Sequence, residues 1–206
     1  MTRIKICGLT RVQDIEAVAN SRADALGLVF YDKSPRYVTA PQAAQLVQIL
    51  PPFITVVGLF VNAEASFVHH VIDHVPLAVL QFHGNESPEF CMQFGKPYLK
   101  AIRVKSGVDL LQCAMRYHSA QGLLLDAYVE GMEGGTGSTF DWNLIPSKLS
   151  LPVILSGGLH AGNVGQAIKQ VRPYAVDVSS GVEAAKGIKD AAKMAAFIKE
   201  VKNVDI

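Results

Sequence analysis

The chain has 206 residues, half of them hydrophobic and 18% charged, with a net charge of +1. That balance describes one globular domain with a core of its own and excludes a disordered chain. It offers no basic excess for nucleic acid or an anionic membrane, and no apolar stretch approaches the ~20 residues of a membrane span.

Neither nucleic acid nor a membrane is therefore expected as partner. The N-terminus lacks the basic, apolar, small-residue order of a signal peptide. Cys7, Cys91 and Cys113 are three widely spaced cysteines with no CxxC or zinc spacing. They fit reduced thiols and a cytoplasmic location.

In chain order, the first apolar run is Arg3–Ile6, ending in Cys7-Gly8. Thr10 and Gln13 have capping-box spacing ahead of Val12, Ile15, Val18 and Ala19. The second run, Ala25–Phe30, leads to Ser34-Pro35-Arg36. Thr39 and Gln42 repeat the capping spacing before Ala43, Leu46, Val47 and Leu50. The third run is Thr55–Phe60, after which Val68, Val71, Ile72 and Val75 share one helical face. The fourth run, Leu77–Phe82, ends in His83-Gly84, and Ser87-Pro88 reads as an N-cap with a first-turn proline.

The fifth run, Tyr98–Ile102, ends in Arg103, and the sixth is Gly122–Asp126. The Gly-rich segment Glu130–Thr139 then reads as a βα loop and lid candidate. The seventh run, Pro152–Leu155, opens onto Ser156-Gly157-Gly158, and Val164, Ala167, Ile168 and Val171 form the next helical face. The eighth, Tyr174–Val178, opens onto Ser179-Ser180-Gly181. Ala191, Met194, Ala195, Ile198 and Val201 mark a last helix.

These runs begin roughly every 20 to 30 residues, the span of one strand-plus-helix unit. Leu123-Leu124-Leu125 and Val153-Ile154-Leu155 are apolar at every position, as parallel strands covered on both faces are. The expected fold is a single-domain (β/α)8 TIM barrel over residues 1–206. A doubly wound sheet is the alternative, weakened because neither nucleotide-binding glycine fingerprint occurs.

Active sites of such barrels lie at the C-terminal strand ends. Cys7, His83, Arg103, Asp126 and the glycine pairs after strands seven and eight all fall there. Turn chemistry explains the glycines but not Cys7, His83 or Arg103. Strand alternation sends Ile4, Ile6, Leu123, Leu125, Val176 and Val178 toward the helices. It sends Lys5, Cys7, Leu124, Asp126, Asp177 and Ser179 into the barrel. Gly157, Gly158, Ser180 and Gly181 suit a phosphate site built from backbone N–H groups.

Lys5-Ile6-Cys7-Gly8-Leu9-Thr10, Gln81-Phe82-His83-Gly84 and Leu125-Asp126 resemble motifs of the phosphoribosylanthranilate isomerase family. So do Gly134-Gly135-Thr136-Gly137 with Phe140-Asp141-Trp142, Leu155-Ser156-Gly157-Gly158-Leu159, and Asp177-Val178-Ser179-Ser180-Gly181-Val182-Glu183. They run in order from residue 5 to 183. The resemblance implies an Amadori rearrangement of N-(5-phosphoribosyl)anthranilate in tryptophan biosynthesis, without metal or cofactor. It implies Asp126 as general acid, Cys7 as general base and Arg36 at the anthranilate carboxylate. It places the phosphate on the loops after strands seven and eight.

Lys5, if it points inward, is expected to favour the Cys7 thiolate. His83 is expected to contact substrate. Asp177 either orients substrate hydroxyls or bonds the neighbouring strand. Arg103 faces either the substrate or a rim carboxylate. His70 and His74 have metal-chelating spacing but lie on a polar helix face with no third ligand in view, so a solvated face is expected. Cys91 and Cys113 read as packing residues. A neighbouring sugar-phosphate barrel such as indole-glycerol-phosphate synthase, a non-catalytic binding barrel and a thiol redox protein are the competing readings. Both a monomer and a homodimer remain open.

Overall fold

A computed structural model describes residues 1–127 and 139–204. Most of the lid candidate Glu130–Thr139 and the motif Gly134–Gly137 therefore lie outside the described residues. Eight parallel strands close into one barrel: β1 (Arg3–Cys7), β2 (Ala25–Val29), β3 (Thr55–Phe60), β4 (Val79–Phe82), β5 (Tyr98–Val104), β6 (Gly122–Ala127), β7 (Val153–Leu155) and β8 (Ala175–Val178). Pairing of Lys5 with Ala25 on one side and Asp177 on the other shuts the ring at β1.

The helices α1 (Val12–Ser21), α2 (Ala40–Val47), α3 (Ala65–His74), α4 (Pro88–Met92) and α5 (Leu110–Arg116) follow the first five strands. After β6, among the described residues, only a 3-10 turn at Trp142–Leu144 stands in the sixth helical place. Helices α6 (Val164–Val171) and α7 (Ala191–Val204) follow β7 and β8. A short hairpin of β9 (Glu183–Ala185) and β10 (Ile188–Lys189) precedes α7. No described helix is long and apolar enough to cross a membrane.

Alternation divides the buried side chains as the apolar pattern predicts. Ile4, Ile6, Leu123, Leu125, Val176 and Val178 pack with the helices in one large cluster. Leu124, Ala101, Ile154 and Ala175 fill the barrel interior. Above them Cys7, Val29, Leu59 and Val61 form a separate apolar group at the C-terminal end. Interior side chains are thus apolar low in the barrel and reactive high in it.

Three local expectations are corrected. The Thr10–Gln13 capping box does not form: α1 is capped at Arg11 without a side-chain bond, and the Thr10 hydroxyl donates to the Gly187 carbonyl at 2.6 Å. The helix begins one residue later than the box requires, and the hydroxyl is held by a tertiary acceptor. β4 begins at Val79 rather than Leu77, because Leu77 is still in the turn, its N–H bonded to the Val75 carbonyl. β5 runs past Arg103 to Val104, so Arg103 lies inside the strand and is paired in register with Asp126. The Thr39–Gln42 capping box and the Ser87 N-cap are present as expected.

The strand-four end rests on a buried charge pair. Lys100 Nζ donates to the carbonyls of Phe82 and Gly84 at 3.2 and 2.6 Å and to Glu86 at 3.0 Å. Glu86 in turn accepts from the backbone N–H groups of Asn62 and Gly84. A buried charge needs such partners. Lys100→Met is expected to cost about 3–5 kcal/mol by stranding the Glu86 charge. Urea unfolding of the two proteins measures this, and a loss below about 1 kcal/mol would refute it.

Candidate active site

The strand ends converge on one pocket. Cys7, Arg36, His83, Asp126, Gly157, Gly158, Asp177, Ser179 and Ser180 all line it, joined by Val29, Tyr31, Leu59, Val61 and Gln81. Gly181 stands just behind: a Cβ there would lie 1.9 Å from the Leu159 carbonyl oxygen, so only glycine lets this loop pack. Leu124 stays below in the interior layer, as its position two residues before Asp126 requires.

Asp126 is buried at the top of β6. Its Oδ1 accepts from the Ala127 N–H at 2.9 Å, and its Oδ2 lies 3.1 Å from His83 Nε2. On the far side of His83, Gln81 Nε2 stands 3.1 Å from Nδ1. An amide nitrogen only donates, so in this arrangement Nδ1 accepts and the ring proton sits on Nε2, pointing at the carboxylate. Gly157 makes room for this pair. Its φ is +84°, and a Cβ would come within 2.6 Å of the Ala127 nitrogen and 3.1 Å of Asp126 Oδ1.

Cys7 is buried at the top of β1, facing Gly27 in register on β2. A Cβ at Gly27 would lie 2.7 Å from the Cys7 sulfur and 3.1 Å from Lys5 Nζ. Glycine at 27 is thus what admits both side chains side by side. Lys5 points inward as expected and donates to Asp177 Oδ1 at 2.9 Å, with both residues buried.

Lys5 favours the thiolate as expected, but burial opposes it. Burial pushes Cys7 above the ordinary thiol range; Lys5 acts in the opposite direction, but Asp177 partly offsets it. The free protein therefore holds Cys7 as a thiol at neutral pH. For Lys5, burial acts downward, yet Asp177 and Cys7 together raise the ammonium above its ordinary value, so it stays charged. Alkylation of Cys7 by iodoacetamide, read on its own peptide by mass spectrometry, is expected to have a midpoint above that of free cysteine. Lys5→Met should move that midpoint higher still. A midpoint at or below free cysteine, or no movement in Lys5→Met, would contradict the balance described.

Asp177 bonds the neighbouring strand through Lys5, and it also lines the pocket. Arg36 is held flat by Glu183, Nε to Oε1 at 2.7 Å and Nη2 to Oε2 at 2.8 Å. Nη1 is the guanidinium nitrogen that Glu183 does not engage. Lys189 joins the same carboxylate at 2.8 Å and also donates to the Ser179 carbonyl at 3.0 Å. Burial works against the Glu183 charge, but hydrogen bonds from Arg36 and Lys189 hold its carboxyl below the usual range. This brace ties the loop after β2 to the loop after β8.

Sequence reasoning passed over Glu183, Lys189, Gln81 and Gly27 as site residues. The signal for Gln81 was present, a polar residue at an inward position of an apolar run. The brace had no such signal, since Arg36 and Glu183 are 147 residues apart along the chain. His74 Nδ1 bonds the His70 carbonyl, and no group of three or more potential metal ligands occurs among the described residues. Cys91 is buried in α4, where burial pushes its thiol up to about 12, and Cys113 is half-buried in α5.

Comparison with known proteins agrees with this geometry. A family model for N-(5'-phosphoribosyl)anthranilate isomerase matches residues 4–200. The N-(5'-phosphoribosyl)anthranilate isomerase of Nitrosospira multiformis is 59% identical over 97% of this chain and 96% of its own length. That of Thiobacillus denitrificans is 58% identical over 97% of this chain and 98% of its own. The crystal structure of the Thermotoga maritima isomerase superposes with a TM-score of 0.90 at 41% identity, covering 98% of this chain and all of that one. A further isomerase structure, in complex with reduced 1-(o-carboxyphenylamino)-1-deoxyribulose 5-phosphate, superposes with a TM-score of 0.84 at 38% identity over 98% of this chain and all of that one. Barrel, pocket and near full-length similarity agree: the chain belongs to the N-(5'-phosphoribosyl)anthranilate isomerase family.

Proposed function

We propose that this isomerase opens the sugar ring of N-(5-phosphoribosyl)anthranilate with Asp126 as general acid and removes the C2 proton with Cys7 as general base. The product is 1-(2-carboxyphenylamino)-1-deoxyribulose 5-phosphate. The observation that carries this reading is the shared pocket: one carboxyl and one thiol, both buried, both on inward positions of strand ends, lining one cavity.

The first step moves a proton from Asp126 to the ring oxygen. The C1–O bond breaks toward that oxygen, and the nitrogen lone pair forms a C1=N iminium. The iminium makes the C2 proton acidic. Cys7 as thiolate takes that proton, and the C2–H electrons form the enolamine, which tautomerises to the ketone. These steps need one acid and one base and no metal or cofactor.

The free protein favours the thiol, so formation of the thiolate is coupled to the bound substrate. The positive iminium and charged Lys5 both favour it. Exclusion of water by the substrate strengthens these attractions.

The remaining lining suits the rest of the substrate. Val29, Leu59 and Val61, with Tyr31, offer an apolar wall for the anthranilate ring. Arg36, its plane set by Glu183, offers Nη1 to the anthranilate carboxylate. Gly157, Gly158, Ser180 and Gly181, on the loops after β7 and β8, suit the phosphate through backbone N–H groups. Asp177 and His83 border the sugar. The separated, reduced cysteines support a cytoplasmic location, and the near-neutral charge supports a small molecule rather than nucleic acid as partner.

The direct test is anthranilate phosphoribosylated in situ, with its fluorescence followed as the protein is added. A protein-dependent change well above the uncatalysed rate is expected. No rate above background would overturn the reading.

A further inference from the structure

The hairpin of β9 and β10 carries Lys189 in behind the pocket, and neither proton-transfer step makes use of it. Its side chain has no solvent exposure, and it does not line the pocket. Nζ has three acceptors: Glu183 Oε1 at 2.8 Å, the Ser179 carbonyl at 3.0 Å and Ser179 Oγ at 3.3 Å. An ammonium has three hydrogens, so none is left for a ligand.

The backbone of Lys189 is held as closely. Its carbonyl accepts from Arg11 Nη2 at 3.0 Å, and its N–H points to Asp14 Oδ2 at 3.4 Å. At the hairpin turn Gly187 has a φ of +76°, and a Cβ there would come within 2.7 Å of the Pro35 carbonyl oxygen. The hairpin therefore lies directly against the loop that carries Arg36. A Cβ at Gly8 would clash with Arg36 Cδ, so the stem of that arginine is confined as well.

Because Lys189 cannot reach a ligand, what it brings to the site is charge. Burial lowers its ammonium below the ordinary value, and Glu183 opposes that fall, so the group stays charged at neutral pH. Arg36 and Lys189 thus set two positive charges against the single carboxylate of Glu183. Glu183 engages Arg36 at Nε and Nη2, and Lys189 has no hydrogen to spare. The excess positive charge therefore emerges at Nη1 of Arg36, the member of the brace that lines the pocket. Two ion pairs beside the brace cancel within themselves, Lys5 with Asp177 and Arg11 with Asp14. Lys193 reaches the main-chain carbonyl of Glu183 and not its carboxylate.

This count decides what the Arg36 end of the pocket can hold. With Lys189 present, an incoming carboxylate completes a set of two cations and two anions, and the buried cluster is neutral. Without it, Glu183 and the ligand would share one guanidinium, and one negative charge would be buried without a partner. Such a charge is costly in a closed site.

We infer that Lys189 is a specificity-determining positioning residue: by balancing Glu183 it leaves Arg36 a whole positive charge for the ring carboxylate of the substrate. The inference rests on the reading of Arg36 as the group that meets that carboxylate. It divides the brace into two roles. Glu183 sets the plane of the guanidinium, and Lys189 sets the charge that the plane presents.

The test compares two ligands by isothermal titration calorimetry on the full chain. One is the reduced product, which carries the ring carboxylate. The other is the same compound made from aniline, which lacks it. Both carry the phosphate and the sugar chain, so any disturbance of the loop at Ser179 falls on both alike. The wild type is expected to bind the carboxylate compound about a hundredfold more tightly than its aniline counterpart. In Lys189→Met and in Lys189→Gln that preference should fall about tenfold or more, with the aniline compound bound nearly as in the wild type. Lys189→Gln keeps a hydrogen-bond donor without the charge, so it separates charge from hydrogen bonding.

Circular dichroism shows whether each variant is folded, and if Lys189→Met does not fold, Lys189→Gln decides alone. A wild-type preference in a folded variant would overturn the inference. So would equal weakening of both ligands, the signature of a merely structural lysine. Arg36→Met should abolish most of the preference. If it did not, the reading of Arg36 itself would fall, an outcome distinct from an effect of Arg36 without one of Lys189.

Discussion

Asp126→Asn is expected to lower kcat by about 10²–10⁴-fold, the usual contribution of a positioned general acid, with KM changed little. The substitution is close to isosteric. The asparagine oxygen can still accept the Ala127 N–H that now reaches Asp126 Oδ1 at 2.9 Å, so the strand end should keep its shape. What it cannot do is release a proton to the ring oxygen. Ring opening is then left to water, which the buried pocket largely excludes. The fluorescence assay at saturating substrate measures the loss, and circular dichroism with thermal unfolding shows that the fold is kept. A kcat within a few-fold of wild type, in a folded protein, would remove Asp126 from the role.

Cys7→Ser is the second large effect. The side chains have nearly the same shape, so packing against Val29, Leu59 and Val61 should survive. The chemistry does not survive, because a serine hydroxyl is far less acidic than a thiol, and neither the iminium nor Lys5 supplies enough attraction to ionise it. Proton abstraction at C2 should therefore slow by about 10²–10⁴-fold while binding persists. The variant also separates the two steps. If ring opening precedes and does not need Cys7, the open-chain iminium or its hydrolysis products should build up in Cys7→Ser but not in Asp126→Asn. Rapid-quench analysis of the bound sugar distinguishes them, and wild-type turnover in Cys7→Ser would end the base assignment.

The two substitutions also bear on how the free enzyme is poised. Its thiol is protonated, and its acid accepts hydrogen bonds from Ala127 and, with the Nε2 tautomer, from His83. The thiol thus rests in the state opposite to the one it needs at its own step. Substrate binding must change it. The iminium acts on the thiol.

Much of this was legible before any coordinates. The eight apolar runs, their spacing and their two-sided burial follow from local pattern, and the strand ends follow from where each run stops. Strand parity placed Cys7, Asp126 and Asp177 on the inner surface because successive side chains of a regular strand point to opposite faces. The capping box at Thr39 formed because its partner, Gln42, is local and nothing competes for it. At Thr10 the same local signal failed, because the helix is capped one residue later at Arg11 while the Thr10 hydroxyl is held by the carbonyl of Gly187, 177 residues away. The Arg36–Glu183–Lys189 brace was invisible for the same reason: each member is an ordinary charged residue until the barrel closes.

The sequence by itself determined the architecture, the end of the barrel that carries the chemistry and the identities of the thiol and the carboxyl. These depend on periodicity and on motif order, which the chain carries locally. The tertiary structure decided the state of the thiol and the partners of each charge. Burial in the closed barrel outweighs Lys5 at Cys7, and Asp177 takes the Lys5 charge from the far side of the β1–β8 seam. Electrostatics and hydrogen bonding depend on distance in space and on exclusion of water, and neither exists until the eight strands have closed.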